Sequence, residues 1–160
     1  MMATWAEFAS EQPDLAAFVE SRFAADRHAL IATLRKDGAP RISGVEPDFT
    51  RGELWAGMMP DSLKSRDLRR DPRFSLHCNT TTASMTEAGD AKISGTAEFW
   101  TDKDVYLKDL FDRTGWEPKP EEIDLFRFDV TEVVSLTVEG DGMIVLSWHE
   151  GRGTRRVTKK

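Results

Sequence analysis

At 160 residues, with 39% hydrophobic and 31% charged side chains, the chain has the length and make-up of a single domain, 1–160, and not of a disordered or fibrous polypeptide. No apolar run approaches the ~20 residues that cross a bilayer, so no membrane span is expected. The net charge of −6 argues against nucleic acid as a partner, because nonspecific binding to it depends on neutralising phosphates.

Residues 1–27 read as a helical segment. Leu15, Phe18, Val19, Arg22 and Phe23 recur at helix spacing, Pro13 suits a first turn, and Thr4 and Glu7 have capping-box spacing for a shorter helix before it. From residue 29 the pattern changes to strands. Ala29-Leu30-Ile31-Ala32-Thr33-Leu34 is an apolar run short enough for a strand buried on both faces. Lys36-Asp37-Gly38 reads as a tight turn, since Asp-Gly supplies the positive φ such a turn needs, and Arg41-Ile42-Ser43-Gly44-Val45-Glu46 is the return strand. After the turn at Thr50-Arg51-Gly52, a third strand, Glu53-Leu54-Trp55-Ala56-Gly57-Met58, completes an antiparallel meander.

A short helix follows, capped by Asp61 or Ser62, with Leu63 to Arg70 as its body and Pro72 at its close. Phe74, Leu76 and Cys78 alternate with polar residues as a fourth strand. Residues 79–90 read as a loop, and Ala91, Ile93, Gly95, Ala97 and Phe99 alternate with polar neighbours in a long fifth strand. A helix is predicted over 102–113 with Thr101 as cap. Strands follow at Phe126–Val130, Val134–Val138 and Met143–Leu146, the last two joined at Gly140-Asp141-Gly142; residues 152–160 form a basic tail with a disordered end. This order makes the chain mainly β within the α+β class: a six- to eight-stranded antiparallel barrel, closed or partly closed, with flanking helices.

No GxSxG, HExxH, CxxC or Walker A pattern is present, and carboxylate pairs carry no specificity in so acidic a chain, so no catalytic residue is assigned. His28, His77 and His149 lack the spacing of a helical metal pair, and no metal is expected. The single cysteine, Cys78, has no internal disulfide partner, and residues 1–7 are not a basic stretch leading into an apolar one; both point to the cytoplasm. The informative stretch runs from Pro60 to Pro72. A strand ends there and a capped helix begins, with Lys64 and Arg66 in its first two turns and Ser62 and Ser65 as hydroxyl donors. A helix start offers unpaired N–H groups and a positive dipole end, so cations there need a compensating anion, and a bound phosphate supplies one. A solvated basic helix is the other reading of the same residues.

This succession resembles the pyridoxamine 5′-phosphate oxidase-like split-barrel superfamily of flavin and deazaflavin oxidoreductases. The resemblance is carried by Ala29–Leu34 with Asp37-Gly38 and Pro40-Arg41-Ile42-Ser43, by Glu53–Gly57, by Ser62-Leu63-Lys64 through Asp71-Pro72-Arg73, and by Ala91–Glu98. It implies a split β-barrel homodimer with a flavin-type ring between subunits. Lys64 matches the family's phosphate-contacting lysine, with Ser62 and Arg66 beside it. Arg41, Ser43, Trp55 and Ala56 fall where the family lines the ring and ribityl chain, and Trp148 would approach from the partner subunit. True pyridoxamine-phosphate oxidases carry an Arg-x-His motif near the C-terminus that this chain lacks, so vitamin-B6 oxidation is not expected. The expectation is an oxidoreductase that imports its chemistry with coenzyme F-420 or FMN, the deazaflavin slightly ahead, and acts on a small organic substrate. The alternatives are a noncatalytic flavin or haem binder and a haem-degrading protein on the same scaffold.

Overall fold

The computed structural model describes residues 2–81 and 83–160, so Thr82 of the expected 79–90 loop, like Met1, lies outside the described residues. Five helices and nine strands alternate in chain order: α1 (Trp5–Glu11), α2 (Pro13–Ala25), β1 (Ala29–Leu34), β2 (Pro40–Val45), β3 (Asp48–Thr50), β4 (Glu53–Met58), α3 (Leu63–Arg70), β5 (Arg73–His77), α4 (Met85–Ala88), β6 (Asp90–Trp100), α5 (Asp104–Thr114), β7 (Asp124–Glu139), β8 (Gly142–His149) and β9 (Gly153–Lys159). All pairings are antiparallel, and the main path across the sheet is β2-β1-β5-β6-β7-β4-β3, with a β8–β9 hairpin attached to β7.

The sheet has to curl. Seven strands side by side would span about 29 Å, yet only Glu46 and Pro47 separate β2 from β3, the two ends of the path, and such a link covers about 11 Å. β2 and β3 approach without pairing, so the barrel stays split at that seam. The expected three-strand meander is therefore corrected: β4 pairs with β7 and β3, not with β2. Burial explains the choice. β4 sends Leu54 and Ala56 into the barrel core and Trp55 under α5, and a strand buried on both faces needs a central position.

The main core cluster includes Phe8, Val19, Ile31, Leu54, Leu68, Leu76, Ile93, Phe126, Phe128 and Trp148, with residues of α1 and α2 packed into it. The Thr4–Glu7 capping box forms as expected, and Pro13 occupies the first turn of α2. A smaller cluster of Trp55, Tyr106, Leu110, Ile123 and Leu125 lies between α5 and the outer sheet face.

Other sequence expectations change. β1 is buried on one face only, leaving Leu30 42% exposed. The two strands expected at 126–138 are one strand of 16 residues, β7. A bulge accounts for the misreading: Ser94 faces Glu132 while Gly95 faces Val130, so Thr131 is extra and the inward phase shifts from Phe126, Phe128 and Val130 to Val133 and Ser135. At Gly95 a Cβ would collide with the carbonyl of Asp129, so only glycine fits there. Helix α5 begins at Asp104 with Lys103 in the capping position, not Thr101. Met85–Ala88 adds a helical turn within the expected loop. The basic tail is ordered as β9 along β8, which with β3 brings the strands to nine rather than six to eight. No helix of the described residues is long and apolar enough to cross a membrane.

Candidate cofactor and anion site

Strand β4 ends at Met58, and the turn Met59-Pro60-Asp61 leads directly into α3. The Ser62 side chain caps the helix, accepting from the Ser65 N–H at 3.4 Å. The nearly buried carboxylate of Asp124, at the start of β7, accepts from the Asp61 N–H at 2.8 Å and from the Ser65 hydroxyl at 2.5 Å. This ties the turn to the helix and holds Asp61 in the left-handed region at φ +57°.

The inward side of α3 is anchored by Asp67. Its carboxylate accepts from Thr33 Oγ1 at 2.8 Å, Arg41 Nε at 2.7 Å and Arg70 Nη2 at 2.9 Å. Burial alone would raise its pKa, but these bonds outweigh it and hold the carboxyl below its ordinary range. On the outward side, Arg66 and Arg69 both bind Asp61, at 2.5 and 2.7 Å, and those hydrogen bonds lower the Asp61 pKa to about 2. Lys64, half-buried in the first turn, has no carboxylate partner among the described residues. The first-turn N–H groups of Leu63 and Lys64 have no carbonyl four residues back within the helix.

Beside this turn lies a groove of about 920 Å³ at the barrel seam. Phe23, Phe49, Met58, Tyr106 and Ile123 form apolar walls, and the exposed Met59 and Trp116 stand at its rim. Burial and the neighbouring Asp48 carboxylate push the Tyr106 phenol well above its ordinary range, so it stays protonated and donates to Asp48 at 2.9 Å. Arg113 clamps the same carboxylate at 2.7 Å. A Cβ at Gly57 would meet the end of the Ile123 side chain, which would have to turn aside to admit it.

No family model matches the sequence, and no curated protein matches it. Solved structures match along most of the chain. PhzG from Burkholderia lata 383, seen in complex with tetrahydrophenazine-1-carboxylic acid, is similar at 14% identity over 96% of this chain and 92% of that one, with a TM-score of 0.69. A pyridoxamine 5′-phosphate oxidase-related, FMN binding protein from Nostoc punctiforme PCC 73102 is similar at 12% identity over 93% and 96%, with a TM-score of 0.66. The chain has the pyridoxamine 5′-phosphate oxidase-like split-barrel fold. An F420 reductase is similar at 17% identity over 66% of this chain and 87% of that one, with a TM-score of 0.53.

Within this split barrel, four of the residues singled out from sequence converge. Ser62, Lys64 and Arg66 share the start of α3, and Arg41 reaches the same helix through Asp67. Ser43 is half-buried on the seam strand β2, on the same face as Arg41. Three others depart from expectation. Ala56 is fully buried in the barrel core, and Trp55 is 7% exposed beneath Trp100 and Tyr106, so Gly57 and Met58 at the end of β4, with Met59 after it, line the groove instead. Trp148 is 1% exposed, its ring 4.8 Å from that of Phe8 and its Nε1 donating to Glu11. It is a core side chain of the described fold. The groove residues Met59, Trp116 and Ile123 were not foreseen; the only sequence signal was two methionines before a proline at the end of an apolar strand.

Proposed function

We propose that the chain binds a phosphate-bearing flavin-type cofactor, FMN or coenzyme F-420, and acts as an oxidoreductase on a small organic substrate. The observation that carries this reading is the adjacency of two features: a groove with apolar walls of Phe23, Phe49, Met58 and Ile123 and charged residues such as Glu46, Asp48 and Arg113 beside them, and, three residues beyond Met59, a capped helix start with a lysine that has no carboxylate partner among the described residues. The fold shared with proteins described as FMN binding and as an F420 reductase supports it.

The bound cofactor would supply hydride or electron transfer. The chain's own residues bind and orient it. Lys64 and the first-turn N–H groups receive the phosphate, Ser62 holds the turn, and Asp67 fixes Arg41 against α3. Phe49, Met58 and Ile123 exclude water from the ring. A homodimer is part of the proposal. Leu30 and Ile42 are 42% and 71% exposed on diagonally neighbouring outward positions of β1 and β2, an apolar surface that a second copy would cover.

Absorbance titration with FMN, F-420 and haem separately tests the reading. The expected outcome is binding of FMN or F-420, weakened about 1.5–3 kcal/mol by Lys64→Ala, the worth of a charge-assisted hydrogen bond. An unchanged dissociation constant in that variant places the phosphate elsewhere. Tight binding without consumption of reduced cofactor, across a broad panel of acceptors, leaves a carrier and removes the enzyme.

A further inference from the structure

We propose that Glu53 governs a clamp between helix α1 and the sheet: the clamp is closed while Glu53 holds a proton and loosens when that proton leaves. The clamp is independent of what the groove binds. Two backbone attachments hold the α1 segment down. The Ala6 N–H donates to the Gly52 carbonyl at 2.9 Å, and Ala3 exchanges hydrogen bonds with Val130 of β7 at 3.0 and 2.8 Å. A carboxylate stands next to each attachment: Glu53 follows Gly52, and Asp129 precedes Val130.

Those two carboxylates oppose one another. Leu54 pairs with Phe128 and Trp55 with Arg127, so the next position sets Glu53 against Asp129 on the outer side of the sheet. Like charges directly opposite across two strands are destabilising. Glu7, from the capping box of α1, and Glu98 of β6 add their charges to the same cluster. Arg127 is the cation set among them, but it is engaged elsewhere. Its Nη2 donates to Glu98 at 3.1 Å and to Asp129 at 3.2 Å, and its guanidinium lies 4.9 Å from the centre of the Trp100 ring. Its Nε stays 3.9 Å from Glu53 Oε2, beyond hydrogen-bond range. That oxygen and Asp129 Oδ1 are buried with no donor among the described residues. On the α5 side, Asp109 accepts from Thr50, the β3 neighbour of Glu53, and Arg113 is spent on Asp109 and Asp48.

Burial raises the Glu53 pKa, Arg127 offsets this only in part, and Asp129, Glu7 and Glu98 raise it further. A carboxyl of this kind contributes stability that is full below its unfolded pKa and is lost as pH rises through the folded one. The loss falls on α1. When α1 lifts, Glu7 departs and water reaches Glu53, so the open form releases the proton more readily and ionisation favours opening. The groove feels this motion, because the Trp5 ring packs 4.8 Å from that of Phe49 and its Nε1 donates to Glu20, both groove residues.

The test is amide hydrogen exchange of the full chain across pH, corrected for intrinsic rates, with the Glu53 carboxyl followed by NMR. Protection at Ala3 and Ala6 is expected to fall as pH rises through the Glu53 titration. The Cys78 amide, bonded to the Ala91 carbonyl of β6, is expected to keep its protection. Glu53→Gln keeps the shape without the charge, and should hold Ala3 and Ala6 at high, level protection over the same range. Asp129→Asn removes the opposing charge, and should move the Glu53 midpoint to lower pH and shrink the loss of protection. Loosening that persists in Glu53→Gln, or that spreads equally to Cys78, overturns the clamp. So does a Glu53 titration with no change at Ala3 and Ala6, or a midpoint unmoved in Asp129→Asn.

Discussion

Asp67 and Asp61 lie six residues apart, and each binds two guanidinium groups, yet their side chains are 3% and 59% exposed. The bonds are equally short: 2.7 and 2.9 Å to Asp67, 2.5 and 2.7 Å to Asp61. What differs is the medium. Asp67 has given up its water and is compensated by three donors, so removing it leaves the buried Thr33 and the mostly buried Arg41 without their partner. Asp61 keeps its water, and its partners lose little when it leaves. One side of α3 therefore holds the fold together, and the other adds little to its stability. Contact geometry alone does not separate these roles; burial does.

The largest effect expected from this contrast is on Asp67→Ala, which should lose about 3–5 kcal/mol in urea unfolding by leaving buried charge unpaired; a loss below 1 kcal/mol would erase the distinction. Next is Gly57→Ala, at the wall between core and groove. The added methyl meets Ile123, so overpacking of about 1–3 kcal/mol is expected, together with a narrower groove and weaker cofactor binding. A stable variant with unaltered binding would show that Ile123 has room to turn away.

Acid unfolding sharpens the comparison further. A carboxyl whose folded pKa is lowered contributes stability that is present above its unfolded value and lost as pH falls through the folded one. For Asp67 the loss begins near its ordinary value of 3.8 and continues below it, so the natural chain should weaken there while Asp67→Asn, already weaker, shows a flatter profile. Parallel profiles would mean that other carboxylates govern acid unfolding. The smallest effect is on Asp61→Asn, whose unfolding midpoint at pH 7 should match that of the natural chain, because exposed ion pairs add little. A clear drop in midpoint would move Asp61 into the structural class with Asp67.

The start of α3 was legible in sequence because its signals are local. A serine cap, a helix-ending Asp-Pro and the spacing of Lys64 and Arg66 act within a few residues, and the helix forms where they place it. The same holds for the Thr4–Glu7 box and for the Asp37-Gly38 turn, where Gly38 adopts φ +86°. Trp55 and Ala56 were legible as strand residues, and Trp148 fell just past the strand expected at Met143–Leu146, but the side of the sheet each serves was not legible. Each strand residue faces one side or the other, and which side is core depends on partners far away in sequence. Trp148 meets Phe8 across the whole chain, and Trp55 is covered by a helix that begins at Asp104.

Sequence by itself determined the element types, most of the turns, the capped basic helix and the mainly β character, because periodicity and capping are properties of short segments. Tertiary structure decided the rest: that β4 joins β7 and leaves a seam at β2 and β3, that the bulge at Thr131 reverses the inward phase of β7, and that the basic tail becomes β9. It also decided which carboxylate takes which arginine. Asp61 and Asp67 are the same residue type on one short stretch, and only the packing of α3 against β1 and β6 buries one and leaves the other in water.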